Sequence, residues 1–297
     1  MSETIPFHSG FLTFVGRPNV GKSTLTNALV GEKIAITSPK PQTTRRTIRG
    51  IVHRPHGQLV LVDTPGLHRP RTLLGERLND LVASTLADVD VIAFCTPAGE
   101  PIGPGDRYIV EQLALYPRAA KLAVVTKIDA VPRDRVAAQL LAVDGLADWA
   151  AVVPVSAAER TQLEVLADEA LQLCPVSPPL YPEDAVTDES LEQRIAELVR
   201  EAALEEAREE LPHSLAVRVD DIEMDDGLAR IFATVFVERD SQRVIVIGRG
   251  GSRLKGIGTR ARAAIEPLVG SKVFLSLHVA VARDWQRDPK ALGRLGF

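Results

Sequence analysis

The chain has little cysteine, few aromatic residues and no long apolar run. Two cysteines in 297 residues, Cys95 and Cys174, exclude a disulfide framework and fit a reducing compartment. Cys95 lies in an apolar run and reads as a small buried hydrophobe. No apolar stretch approaches the roughly 20 residues that span a bilayer. The polar start, Met1-Ser2-Glu3-Thr4, is unlike a signal peptide, so the cytoplasm is the expected location. His8, His53, His56, His68, His213 and His278 show no metal-ligand spacing. Aromatics make up 4% of the chain; Trp149 and Trp285 read as packing residues. What is present is ordinary for a globular protein: 45% hydrophobic and 25% charged residues, at a length that fits two domains.

Charge is unevenly spread. The net charge is −4, yet residues 243–297 hold eleven bases against three acids, a local +8. That asymmetry points to an anionic partner at this end, nucleic acid or a membrane surface.

Residues 1–175 alternate apolar runs with helix-like segments, as in a mostly parallel sheet. Strands are expected over 11–15, 48–53, 58–62, 89–95, 122–125 and 152–155, the second and third paired as a hairpin across His56-Gly57. Residues 36–46, polar and holding Pro39 and Pro41, read as a mobile loop. Four prolines between Cys174 and Pro182 mark a linker. A long helix is then expected over 188–210, with Asp188 as N-cap and its acidic 201–210 end solvated. Strands over 215–219 and 229–237, two helical pieces over 252–257 and 259–268, and a strand over 273–281 complete the order.

The most specific signal is Gly16-Arg17-Pro18-Asn19-Val20-Gly21-Lys22-Ser23, set between a strand and a helix carrying Leu25, Leu29 and Val30 at helical spacing. This is the phosphate-loop pattern in its proper context. Its glycines let successive N–H groups face one concavity, and the helix N-terminus adds positive potential. Lys22 is expected to reach the β- and γ-phosphates and Ser23 Oγ to ligate Mg²⁺. Asp63-Thr64-Pro65-Gly66 follows the strand expected over 58–62. A carboxylate there can hold Mg²⁺ through water, and the Gly66 N–H can meet a γ-phosphate. Thr126-Lys127-Ile128-Asp129 ends another strand; a carboxylate at 129 accepts two hydrogen bonds from guanine N1–H and N2, which adenine cannot supply. The Lys127 stem can lie along the ring, and Ser156-Ala157 can present an N–H to guanine O6. Near the other end, Gly248-Arg249-Gly250-Gly251 fits a G-x-x-G loop between helices, where missing side chains admit a sugar–phosphate backbone. Arg249, Arg253 and Lys255 would favour phosphate, and Ile247, Leu254 and Ile257 would floor a groove for bases.

Taken together, these motifs resemble the G motifs of translation-factor-related GTPases, and residues 246–255 resemble a type II KH domain. The pairing resembles the Era family of bacterial GTPases, as do the closing Asp284-Trp285, Ala291-Leu292 and Leu295-Gly296-Phe297. The resemblance implies an α/β P-loop GTPase domain, a mostly parallel sheet with helices on both faces, over 1–175. A linker over 176–187 and an α+β type II KH domain over 188–297 would follow. It implies a switch that binds and hydrolyses GTP, binds small-subunit (16S) ribosomal RNA near its 3′ end and assists 30S assembly, with GTP/GDP and Mg²⁺ as cofactors. Asn19 resembles the residue that coordinates K⁺ in potassium-stimulated members, and one of Thr43 and Thr44, taken as Thr44, would close on Mg²⁺. Lys22, Thr44, Gly66 and Asn19 are thus the candidate catalytic set. Leu67 stands where other GTPases carry a water-orienting Gln, so intrinsic hydrolysis is expected to be slow. Thr126 replaces the family's Asn, which bonds across to the phosphate loop and to guanine N7. Thr is shorter, so weaker nucleotide binding with preserved guanine choice is expected. A monomer is the default. The competing reading is an RNA chaperone or membrane-surface adaptor, peripheral at the inner face of the cell membrane, with only a weak regulatory nucleotide pocket.

Overall fold

The computed structural model describes residues 6–38, 44–65, 72–206, 214–225 and 227–295. Gly66, Leu67 and Thr43, together with His68 and His213, lie outside the described residues. The chain divides into two compact units. The first comprises Met1–Ala35, Thr44–Arg69 and Leu78–Asp188; the second comprises Ile36–Thr43, Pro70–Arg77 and Glu189–Phe297.

The first unit is built on six strands: β1 (His8–Val15), β2 (Ile48–Arg54), β3 (Gly57–Asp63), β4 (Val91–Pro97), β5 (Ala120–Thr126) and β6 (Ala151–Pro154). They lie in the order β2-β3-β1-β4-β5-β6. β2 and β3 form an antiparallel hairpin, and the remaining pairs are parallel. Every residue of β3 and β4 is buried, as a sheet covered on both faces requires. Alternation along β1 serves two cores. Leu12 and Phe14 join Leu25 of α1 (Lys22–Val30) and Leu166 of α5 (Leu163–Gln172). Val15 and Phe11 face the other way, with Val82 of α2 (Leu73–Asp88) and Ile109 of α3 (Pro104–Leu113). Trp149 stacks on Phe94 at 5.7 Å and donates from Nε1 to Val143 O, at the end of α4 (Arg133–Asp144). From β1 the chain runs first to β2 and β3 on one side and later to β4, β5 and β6 on the other. The loop after β1 thus opens at a topological switch point, where open α/β sheets bind ligands.

The proline-rich stretch after α5 is tied down rather than free. Ile51 N donates to Val186 O at 2.9 Å, and Thr187 bridges Gly50 in antiparallel fashion. Gln58 accepts from Leu180 N and Tyr181 N while donating to Tyr181 O. The stretch therefore covers the exposed edge of β2, a row of backbone groups that would otherwise invite pairing.

The second unit has α6 (Leu191–Glu206), β7 (Ala216–Asp225), β8 (Leu228–Val237), α7 (Asp240–Ile247), α8 (Ser252–Val269), β9 (Lys272–Val281) and α9 (Pro289–Arg294). β7 and β8 are antiparallel, β8 and β9 parallel. One core joins Ile195 and Val199 of α6, Ile231 and Val235 of β8, and Ala261 and Ile265 of α8. Trp285 is fully buried, with Nε1 bonded to Ser214 O at 3.1 Å.

Four expectations are corrected here. The long helix starts at Leu191, capped by Ser190, whose N–H and hydroxyl exchange hydrogen bonds with the Gln193 carboxamide and N–H. Asp188 is unavailable as a cap because it accepts from Arg49 and from Tyr181 Oη, both at 2.9 Å. The helix is not solvated throughout its acidic end: Glu201 is buried and accepts from Thr37 N at 2.9 Å within the same unit. The two pieces expected after the G-x-x-G loop are one helix, α8, running through Gly256 and Gly258. Finally, Ile257 is 1% exposed in the core, so it cannot floor a groove.

Candidate functional site

Loop 16–23 joins β1 to α1 through unusual backbone. Gly16 has φ 155°, Asn19 64° and Gly21 103°. A Cβ at Gly16 would collide with the Cys95 carbonyl, so the close approach of loop and β4 requires glycine. Within this loop Lys22 folds back, its Nζ donating to Gly16 O and Arg17 O at 3.0 Å each. Burial pushes its ammonium pKa down, while Cys95 and Asp63 pull it up.

Three oxygens meet beside Lys22. Ser23 Oγ donates to Asp63 Oδ2 at 2.9 Å and Thr44 Oγ1 to the same oxygen at 3.1 Å, and the two hydroxyls lie 3.2 Å apart. Asp63, at the end of β3, is fully buried. Burial pushes its carboxyl up, against the hydrogen bond from Ser23, the charge of Lys22 and the hydrogen bond from Thr44. Its Oδ1 is buried without a hydrogen-bond partner. A buried carboxylate with one unengaged oxygen, flanked by two hydroxyls, is a hard-oxygen donor set of the kind Mg²⁺ takes. The residues present therefore fit that ion. Thr64 is buried and Pro65 follows it at the edge of the described residues.

The stretch 126–129 is coupled to the loop directly. Thr126 Oγ1 donates to Val20 O at 2.7 Å, so the shorter side chain does make the cross-bond, because β5 brings its end against the loop. Lys127, itself at φ 56°, reaches Asn19 O with Nζ at 2.7 Å. Ile128 opens a short turn in which its N–H donates to Val155 O. Asp129 Oδ1 accepts from Ser156 Oγ at 2.5 Å, and the same hydroxyl accepts from Glu159 N. Ala157 follows Ser156 in that turn. The Ser156 bond fixes the orientation of the carboxylate, a role that spacing alone did not reveal. Pro18 and Arg17 complete the loop, but the Arg17 side chain turns onto α3.

In the second unit the G-x-x-G loop sits between α7 and α8, with Gly248, Gly250 and Gly251 at φ 73°, 58° and 78°. A Cβ at Gly248 would stand 2.8 Å from Arg253 Cγ. Arg253 NH1 bonds Ile245 O at 3.2 Å, joining the two helices across the loop. Arg249 and Lys255 are exposed, while Ile247 and Leu254 are half-buried against the core. Val244 and Ile245 of α7 also stand exposed beside the loop. Among the described residues no cluster of side chains suited to a metal stands apart from the 23/44/63 group, and no helix is long and apolar enough to cross a membrane.

Comparison with known proteins agrees in both halves. The family of 50S ribosome-binding GTPases matches residues 11–127, and the KH domain family matches residues 210–286. The chain is 62% identical over 302 residues to GTPase Era of Mycobacterium sp. (strain KMS), all of both chains being covered. It is 56% identical over 307 residues to GTPase Era of Streptomyces coelicolor, covering 100% of this chain and 96% of that one. A crystal structure of a variant of Aquifex aeolicus Era bound to GDP·AlF4⁻ matches with TM-score 0.91 and 36% identity over 98% of this chain and 99% of that one. A structure of Era with MgGDPNP and nucleotides 1506–1542 of 16S ribosomal RNA matches equally, at 35% identity and the same coverage. Family matches in both units, together with identity of this order over the whole chain, show that the chain is a GTPase and belongs to the Era family.

Proposed function

We propose that this GTPase is a magnesium- and GTP-dependent switch whose KH unit binds the 3′ end of 16S ribosomal RNA during small-subunit assembly. The observation that carries the switch is the meeting of Ser23, Thr44 and Asp63 beside buried Lys22. Thr44 belongs to the segment before β2, so its hydroxyl ties that segment to the nucleotide site. The RNA reading rests on the G-x-x-G geometry, the +8 charge of residues 243–297, and the relative that holds nucleotides 1506–1542.

In this reading the backbone N–H groups of residues 16–23 other than Pro18, with the start of α1, cradle the phosphates, and Lys22 exchanges its loop carbonyls for phosphate oxygens. Ser23, Thr44 and Asp63 hold Mg²⁺, which when bound neutralises charge developing on the β- and γ-phosphates. Asp129, oriented by Ser156, takes the guanine N1–H and N2 donors, and Lys127 stays along the base while bonded to Asn19. Gly66 supplies an N–H to the γ-phosphate and Asn19 a ligand to K⁺. With Leu67 in place of a water-orienting side chain, turnover without a partner is slow. Phosphoryl transfer needs positioning and charge stabilisation more than a protein base. Arg249, Arg253 and Lys255 take RNA phosphates beside Gly248, Gly250 and Gly251, and Ile247 and Leu254 face bases.

On this reading residues 1–175 form the GTPase domain, 176–187 its tether and 188–297 the RNA-binding domain. The protein works as a cytoplasmic, ribosome-associated monomer. Calorimetry with GTP and ATP in magnesium, repeated in K⁺ and in Na⁺, tests the nucleotide half. Binding of a 3′-terminal 16S fragment with and without GTP, in the parent and in Lys22→Ala, tests the coupling. Equal affinity for GTP and ATP, or RNA binding whose nucleotide dependence survives Lys22→Ala, would refute the reading. Liposome flotation at varied salt tests the membrane-surface alternative.

A further inference from the structure

The phosphate-loop pattern leaves its second residue open, yet Arg17 is engaged more closely than a variable position requires. Its Nε donates to Asp106 Oδ1 at 2.8 Å, and its guanidinium pairs with Glu100 Oε2 at 3.0 Å. Gly105 leaves room for the arginine stem, since a Cβ there would stand 3.3 Å from Arg17 Cδ. Asp106 is fully buried at the start of α3, and its second oxygen accepts from Gly103 N at 2.9 Å. The carbonyl of the same Arg17 accepts Lys22 Nζ at 3.0 Å. A run of contacts thus leads from a buried carboxylate on α3, through Arg17, to the lysine of the loop.

We propose that Glu100, Gly105 and Asp106 form a receptacle for the Arg17 side chain that sets the path of the phosphate loop, making Asp106 a positioning residue for guanine-nucleotide binding. This rests on the reading of residues 16–23 as the phosphate loop. Gly16 and Gly21 adopt positive φ freely, so the path of the loop is selected by the contacts made to it from outside. Thr126 holds Val20 and Lys127 holds Asn19, both from the base-reading stretch. Arg17 is held from α3, a segment outside every motif of the sequence. The bond is charge-assisted and buried at one end, so it is stronger than a neutral surface contact, and removing one partner leaves a buried charge uncompensated.

Asp106→Asn in the full chain keeps an acceptor for Gly103 but removes the charge facing Arg17. The expected result is a GDP dissociation constant and a KM for GTP raised about tenfold, with kcat changed less than about threefold. The double variant Asp106→Asn with Arg17→Met should be no weaker than either single variant, because no buried charge is left unpaired and Glu100 is solvated. A lowered melting temperature with affinity and KM within about twofold of the parent would assign the pair a purely structural role and overturn the proposal. If Asp106→Asn fails to fold, Arg17→Lys and Glu100→Gln decide. Arg17→Lys keeps the charge without the planar fork and should weaken GDP about threefold or more, and unchanged affinity in both variants overturns the proposal. Lys22→Ala in parallel separates the two levels. Retained GTP binding in that variant would sink the loop assignment itself, whereas loss there with unchanged binding in Asp106→Asn would sink only the positioning role.

Discussion

Replacing Thr126 with valine removes one hydroxyl at nearly constant volume from a site 4% exposed to solvent. The main bond lost is the one to Val20 O, 2.7 Å long, which closes the phosphate loop against β5; a longer contact to Thr96 O, at 3.4 Å, goes with it. The net worth of such a bond is about 1 kcal/mol, and leaving the carbonyl of Val20 unpaired adds to it, for a total of about 1–2 kcal/mol. If that energy goes into holding the loop, GDP affinity falls about 5- to 30-fold. If it goes into the fold alone, the first transition on melting drops by roughly 2–4 °C per kcal/mol with affinity unchanged. Titration calorimetry with GDP and magnesium, beside a melting curve of the nucleotide-free chain, distinguishes the two. Thr126→Asn is the opposite arm: it keeps a donor toward the loop and adds one toward guanine N7, so binding tightens by up to about 1 kcal/mol, roughly fivefold. Unchanged GDP affinity in both variants would refute the claim that residue 126 links base reading to the phosphate loop.

Further outcomes follow from the same geometry. Because burial raises the Asp63 carboxyl above its ordinary range, its contribution to stability is fully present below the ordinary carboxylate pKa and is lost as pH rises from there through the raised folded-state value. The nucleotide-free chain should therefore lose stability as pH rises through that window. Asp63→Asn should flatten this slope in melting curves and abolish the added stability that GTP and magnesium give. Gly248→Ala introduces a methyl group against Arg253, and filter binding should show RNA affinity reduced about tenfold or more with GTP hydrolysis retained. Arg249→Ala removes one exposed cation, so RNA affinity should fall with the slope of log K against log salt reduced by about 0.7. Trp285→Ala opens a cavity in the second unit at a cost of about 3–5 kcal/mol, and circular dichroism should show that unit melting early while GTP turnover persists.

The parts of the site that sequence reveals are those confined to a few consecutive residues. Loop 16–23 was legible because spacing, glycine chemistry and the flanking strand and helix all agree. Asp63, Asp129 and the G-x-x-G loop were legible for the same reason, each lying at the end of an apolar run. What stayed hidden depends on pairs distant in the chain. Arg17 and Asp106 are 89 positions apart, and nothing in either segment announces the other. Lys127 and Asn19, 108 apart, meet only because β5 and β1 end at the same edge with β4 between them. Ile257 was expected to floor a groove with Ile247 and Leu254, yet the helix turns it into the core. Asp188 has the chemistry of a cap, but Arg49 and Tyr181 compete for it and Ser190 takes the role. The departure at Thr126 was visible as a substitution, whereas its consequence depended on how closely two strands end.

The pairing of residues 186–187 with the β2 backbone, and of residues 180–181 with the Gln58 side chain of β3, bears on any attempt to isolate the nucleotide-binding half. A truncation at residue 175, where the regular alternation of elements ceases, would strip Val186 and Thr187 from the hairpin and uncover Gln58. The fragment would present a bare β-edge and should self-associate, whereas one carried through Asp188 should stay dispersed. Chain cut points for expression, proteolysis and fusion thus belong after the tether, which folds as a piece of the half that precedes it.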